Sequence, residues 1–271
     1  MDLGLTGKVA IVGGGSDGLG FAIADRLLNE GAFVTIFGRR AEKATAAAEE
    51  LSRRHGEGKV LGLAADCSKA DDIDRVTAST VGQFGEAVHV LVTNDGGPPV
   101  RPISELTDDV WMTAFERHFY YVVRSVRGTL PYMTSEGGSI LNVVSAVVQR
   151  PAINMAAPVT VWSAVIAYAQ TLALEVGRHN ISVNTLMAGL FDTQLIDKMI
   201  DRQPEFSKDR LGDRVPLGRI GEPREFANVA ATLVSPNSRF ITGSVTPVDG
   251  GSLVGAGFGS PSTPASVSST R

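Results

Sequence analysis

The sequence predicts an α/β protein: one doubly wound domain whose seven-stranded, mostly parallel sheet is covered by helices on both faces. Three observations predict it. Apolar runs of strand length alternate with helical patterns along nearly the whole chain. Those runs lack polar alternation, as strands buried on both faces do. A glycine-rich turn joins the first run to the first helix.

The bulk properties set the limits. The chain has 271 residues, 43% apolar, with a net charge of −4, enough for one large domain with a sizeable core. The mild acidity leaves no electrostatic footprint for nucleic acid or an anionic membrane. A single cysteine, Cys67, excludes an internal disulfide framework and suits a reducing compartment. The N-terminal "MDLGLTGKVAIV" lacks the basic segment and long apolar run of a secretory signal. No stretch of about 18 uncharged apolar residues stands out as a membrane span. The expectation is a cytoplasmic protein.

The elements follow in order. The predicted strands are 8–14 ("KVAIVGG"), 33–38 ("FVTIFG"), 59–65 ("KVLGLAA"), 89–94 ("HVLVTN"), 139–145 ("SILNVVS"), 181–187 ("ISVNTLM") and 244–250 ("SVTPVDG"). The patterns at 18–30, 40–54, 107–134 and 156–178 are long enough for crossover helices. No repeat or linker interrupts this order, so residues 1–253 read as one domain. The Gly-, Ser- and Pro-rich end, 254–271, reads as a flexible tail.

The first strand runs into "GGGSDGLG" (13–20). Gly14, Gly18 and Gly20 permit a tight turn and close backbone approach. With Ser16, Asp17 and Leu19 between them, they leave a pyrophosphate room at the helix N-terminus. Glycine turns also join strands to helices with no ligand involved, so position carries the argument: the motif follows the first strand and opens a helix. At the end of the second strand stand Gly38, Arg39 and Arg40. A guanidinium there suits a ribose 2′-phosphate that a carboxylate would repel, which favours NADPH over NADH. The plainer reading is a solvated charge pair at a helix start.

Taken together, these motifs resemble those of the short-chain dehydrogenase/reductase family over residues 5–253. "GGGSDGLG" is similar to its glycine motif, and "ADCS" (65–68) to the segment whose aspartate touches adenine. "NDGG" (94–97) resembles the turn after the fourth strand, and "NVVS" (142–145) ends in the position of the active-site serine. "ISVNTLMAGLFDT" (181–193) and 216–251 complete the likeness. The resemblance implies a Rossmann domain that binds NADP(H). It places Gly14, Ser16, Asp17, Gly18, Leu19, Gly20, Arg39, Arg40, Asp66, Cys67, Asn94, Asp95, Gly96, Gly189 and Thr193 at the cofactor. It also implies a homotetramer or homodimer assembled through the helices at 107–134 and 156–178.

The active-site positions depart from the pattern. The family's tyrosine lies thirteen residues after the serine and its lysine four further on. From Ser145 those positions are Pro158 and Trp162, and the family's asparagine position is His118. Between Ser145 and Glu175 the only titratable side chains are Arg150 and Tyr168, and Tyr168 is ten residues too late. Proline donates no proton, and an indole N–H gives a hydrogen bond but no usable proton. General-acid help of about 10²–10⁴-fold is therefore missing from the expected place. Ser145 has no adjacent base to make it a nucleophile. His118 is either an acid poised near neutral pH or a hydrogen-bonding substitute for asparagine. Trp162 is either a cation-stabilising face or simple helix packing.

An apolar pocket is expected from Val147, Ile153, Met155, Leu190, Phe191, Leu195 and Met199, with 190–206 acting as a mobile lid. The sequence thus points to an NADPH-dependent reductase that delivers hydride to a bulky apolar acceptor already activated, an iminium or similar. Secondary metabolism is the expected setting, and a hydrophobic small molecule the expected partner, with no nucleic acid or membrane. Two alternatives stay open: a cyclase or isomerase with structural NADP(H), and a non-catalytic NADP(H)-binding protein.

Overall fold

Runs rich in Val, Ile and Leu bury both faces of their backbone by pairing side by side, and the seven strands form where those runs lie. In the computed structural model, which describes residues 2–133, 136–202 and 207–254, they are β1 Val9–Gly13, β2 Phe33–Gly38, β3 Val60–Ala64, β4 Val90–Thr93, β5 Gly138–Ser145, β6 Ile181–Ala188 and β7 Val245–Val248. They form one sheet in the order β3-β2-β1-β4-β5-β6-β7. Every adjacent pair is parallel, including the last, Thr185–Ala188 beside Val245–Val248. The direction of winding reverses between β1 and β4, so a crevice opens there beyond the carboxyl ends of the strands.

Two cores sit on the two faces of this sheet. Helices α1 (Gly18–Asn29), α2 (Ala41–His55) and α9 (Pro223–Val234) cover one, with Leu27, Leu51 and Phe226 buried. Helices α3 (Ala70–Phe84), α5 (Tyr121–Thr129) and α6 (Ala156–Val176) cover the other, with Ile73, Tyr121 and Val165 buried. The shorter α4 (Asp108–Phe115), α7 (Gln194–Arg202) and α8 (Lys208–Gly212) lie in the connections. A buried polar chain ties the centre of the sheet together. Thr93 Oγ1 donates to Asn142 Oδ1 (2.7 Å), Asn184 Nδ2 donates to the Ile241 carbonyl (2.7 Å), and Ser244 N and Oγ both donate to Asn184 Oδ1. Each of these buried groups keeps a partner, as the loss of water requires.

The expectation of one helix over 107–134 needs correction. α4 and α5 are joined by a π-helical turn, Glu116–Tyr120. The wider turn shifts the helical phase, so Ala114 on α4 and Tyr121 and Val122 on α5 all face inward. The reading that no segment is long and apolar enough to span a membrane also needs correction. Ala156–His179 passes that test by length and composition, with a mean hydropathy of 1.4 in its best window. The reason is the charge-free run after Arg150. Within the domain this helix connects parallel β5 to β6 and turns Val161, Val165 and Ala169 into the core. Of the tail read at 254–271, only Val254 belongs to the described residues.

At the opposite end of the sheet His89 is buried, its Nδ1 accepting from the Val9 N–H (3.1 Å) and its Nε2 lying 2.9 Å from Glu136 Oε2. Burial first, then nearby Lys8 and Arg239, lower its pKa, against the opposing pull of Glu136. A depressed histidine binds fewer protons folded than unfolded. Its contribution is therefore complete above the unfolded value of about 6.5 and lost as pH falls through the lower folded value. The Glu136 carboxyl, lowered chiefly by its bond to His89, adds the same sign at more acid pH. We expect the urea midpoint to fall on acidification from neutrality, and the fall to be shallower in His89→Gln. Parallel profiles for the two proteins would contradict this.

Candidate active site

The crevice is built first from close backbone contacts. Gly14 has φ +58, and a Cβ there would meet Asn94 Nδ2 at 2.7 Å; a Cβ on Gly20 would meet the Gly14 carbonyl at 2.3 Å. Asn94 Nδ2 donates to the Gly13 carbonyl (3.3 Å), joining the end of β4 to the end of β1. Asp17 caps α1, its Oδ1 accepting from Gly18 N (2.8 Å). Lys43 neutralises it from α2 (3.2 Å) and reaches Gln194 at the start of α7 (3.0 Å). Thr193 lies beside Gly18. These glycines leave the space that a pyrophosphate needs, and the residues present fit a dinucleotide.

Arg39 and Arg40 are exposed at the end of β2, with no ion pair to either among the described residues. A cavity of about 470 Å³ opens beside them, lined by Arg39, Cys67, Gly96, Arg117 and His118 among others. Hydrogen bonds from Ser68 hold the Asp66 carboxyl below the usual range, with Arg117 and Arg39 helping. Burial pushes the Cys67 thiol up to about 12, so it is an uncharged part of the wall at neutral pH.

Beyond Asn94 the chain enters a linked set of side chains. Asp95 Oδ1 accepts from Gly97 N (2.7 Å), while its Oδ2 lies 2.6 Å from His118 Nδ1. Both side chains are largely buried, at 15% and 11% exposure. His118 sits in the π turn, which carries it over this loop. The indole of Trp162 presses on the same loop, its Cζ2 2.8 Å from where a Cβ on Gly97 would stand. Asp95, His118 and Trp162, three positions that differ from the expected pattern, are thus neighbours through Gly97. The sequence named all three and gave no sign that Asp95 and His118 touch. Their separation along the chain, from a loop to a helix, hides the pair.

Ser145 ends β5, its Oγ accepting from Val147 N (3.4 Å). Pro158 is buried in the first turn of α6. The N–H it lacks would have had no partner within the helix there, so the proline does not break α6. It is a packing residue of the helix start and cannot be a catalytic group. Tyr168 packs edge-on against Phe119 (6.0 Å between centroids), and burial raises its hydroxyl above the usual range. Sequence reasoning passed over Tyr121, whose fully buried hydroxyl approaches the Asn94 carbonyl (3.5 Å) and is pushed well above the ordinary phenol range by burial. Neither tyrosine supplies an acid.

The expected apolar wall is redistributed. Phe191 belongs to the core, packed edge-on against Phe226 (5.3 Å) and against Gly221. Its strand-like bridge to Gly221 turns it inward. On α7 the inward face is Ile196, Met199 and Ile200, while Leu195 is 67% exposed. The helical phase favours 196 over 195. Ile153 is 90% exposed and, with Met155, edges a separate apolar trough of about 390 Å³. Leu190 and Val147 are half-buried, as is Gly189, where Asp249 lies against the backbone. Residues 203–206 of the expected lid lie outside the described residues.

Residues 14–252 match the family described as Enoyl-(Acyl carrier protein) reductase. The chain is 32% identical over 248 residues to a 3-oxoacyl-(acyl-carrier-protein) reductase of Chlamydia muridarum, covering 91% of this chain and 98% of that one. It is also 32% identical to dehydrogenase/reductase SDR family member 4 of Caenorhabditis elegans, covering 90% and 95%. Among solved structures, L-sorbose reductase from Gluconobacter frateurii, in complex with NADPH and L-sorbose, superposes with a TM-score of 0.87. Its identity is 30%, covering 94% of this chain and 99% of that one.

The indole contact generates a stability test. Gly97→Ala puts a side chain on a backbone with φ +79 and into the ring, and should cost about 1–3 kcal/mol. Trp162→Ala should relieve part of that, giving a coupling of at least about 0.5 kcal/mol in a urea-denaturation cycle. Strict additivity would show that the ring does not press on Gly97.

Proposed function

Because the chain belongs to the short-chain dehydrogenase/reductase family of NAD(P)-dependent oxidoreductases, we propose that it is an NADPH-dependent reductase of a bulky apolar acceptor carrying its own activation, an iminium or a similar electron-poor centre. One observation carries this reading. A buried Pro158 and an indole pressed on Gly97 stand where the family pattern implies the tyrosine and lysine that would protonate a ketone oxygen. When bound, NADPH supplies hydride. The protein's part is to hold the dinucleotide on the Gly14–Gly20 cradle, meet the 2′-phosphate with Arg39 and Arg40, and present the acceptor. A cationic acceptor develops no oxyanion as hydride arrives, so it needs no acid at oxygen. Trp162 and the Asp95 carboxylate both favour a cation beside this loop, the ring by about 1–2 kcal/mol when desolvated.

The reading is tested by following NADPH oxidation over a panel of ketones, cyclic iminium salts and conjugated enones. We expect measurable iminium reduction, negligible ketone reduction, and at least about tenfold weaker NADPH binding in Arg39→Ala with little change for NADH. Brisk ketone reduction would overturn the assignment of the acceptor. Tight NADPH binding with no turnover of any panel member would favour a cyclase or a non-catalytic binding protein.

We further propose that two or four copies assemble through α4, α5 and α6. Apolar side chains remain outside on these helices and the turn between them: Leu174 is 86% exposed, Met112 63% and Tyr120 of the π turn 48%. α6 is apolar on more faces than the sheet covers. Light scattering at micromolar concentration should give a dimer or tetramer mass, and a monomer would refute the assembly.

A further inference from the structure

We propose that His118, held by Asp95, is the proton donor for an acceptor that arrives as a neutral imine, and that proton transfer from its Nε2 to the imine nitrogen generates the iminium. The proposal rests on the reductase reading above and says how the activated acceptor forms.

The geometry carries it. The 2.6 Å contact ties Nδ1 to the Asp95 carboxylate, so Nδ1 keeps its hydrogen and Nε2 is the nitrogen left for exchange. Asp95 is itself fixed, since its other oxygen accepts from Gly97 N. A carboxylate-anchored imidazole of this kind is oriented to hold and pass one proton. His118 also lines the 470 Å³ cavity with Gly96 and Gly97, the loop on which Trp162 rests. The charged and titratable groups that line the cavity with it are Asp95 from the β4 loop, Arg39 beyond β2, Cys67 after β3, Arg101 from the next loop, Asp109 from α4 and Arg117 from its own turn. Glu116 is occupied by Arg124 at 2.6 Å.

The step balances. The imidazolium Nε2–H passes its proton to the imine nitrogen, and a reduced nicotinamide, when bound, would supply the hydride to the imine carbon. An amine and oxidised nicotinamide result, and His118 is left neutral with Nδ1–H still on Asp95 until solvent returns a proton. An imine nitrogen is basic enough to take that proton outright near neutrality, and a carbonyl oxygen is not. The same dyad therefore selects nitrogen acceptors.

The test compares 3,4-dihydroisoquinoline, which must be protonated, with N-methyl-3,4-dihydroisoquinolinium, which carries a permanent charge. His118→Gln should lower kcat/KM for the first by about 10²–10⁴-fold and for the second by less than about tenfold. Asp95→Asn should move the pH profile for the imine, and leave that for the quaternary salt flat. Nitrogen-15 NMR of the neutral wild-type imidazole should report the Nδ1–H tautomer, and Asp95→Asn should lose that preference. Equal losses on both acceptors, or the Nε2–H tautomer in the wild type, would reduce His118 to a structural role while leaving the reductase reading intact. Failure of the wild type to reduce either acceptor would sink the reductase reading, and this proposal with it.

Discussion

The open end of the sheet depends on one close approach, that of Asn94 to the first strand–helix turn. The amide of Asn94 reaches the Gly13 carbonyl across a gap that tolerates no side chain at Gly14 or Gly20. This packing fixes where α1 begins, and hence where its first N–H groups point. It also fixes the direction in which the chain leaves β4. Asp95 follows directly, so its carboxylate falls under His118, and Gly97 under Trp162. The glycine turn and the Asp95–His118–Trp162 cluster thus share one anchor.

The side chains that differ from the expected pattern compensate one another. A carboxylate at 95 and an imidazole at 118 would each be costly alone at such burial; paired, each satisfies the other. The indole of Trp162 occupies one face of Gly97. Pro158 stiffens the start of α6 without losing a helical hydrogen bond. The result is an arrangement in which each of these side chains is either paired or packed.

Much of this was legible in the sequence. Continuous apolar runs named all seven strands, because parallel strands bury both faces and show it in composition. Asp17 and Gly18 announced the first helix, and Arg39 and Arg40 their exposed position beyond β2. What escaped was three-dimensional phase. Phe191 reads as lid surface, yet a bridge to Gly221 turns it into the core. Leu195 and Ile196 are equally apolar, and only helix rotation decides which is inside. The π turn carries no compositional mark, so the bond it creates between His118 and Asp95 was hidden. Lys43, an ordinary surface lysine by pattern, joins the glycine turn to α7.

The uncharged length of α6 also bears on how the chain is made. Until β6 exists, this helix has β5, the π turn and the β4 loop to lie against but not its second strand, and it passes for a membrane insert by length and composition. From Val176 to Ala188 is a dozen residues, roughly a second of ribosomal synthesis. During that second the nascent chain presents its stickiest segment to everything near the tunnel exit. The β5–α6–β6 unit closes as soon as its last strand emerges, because the crossover is local in sequence and needs no distant partner. Biosynthetic safety therefore rests on the speed of one crossover, and slow translation just after α6 would prolong the hazard.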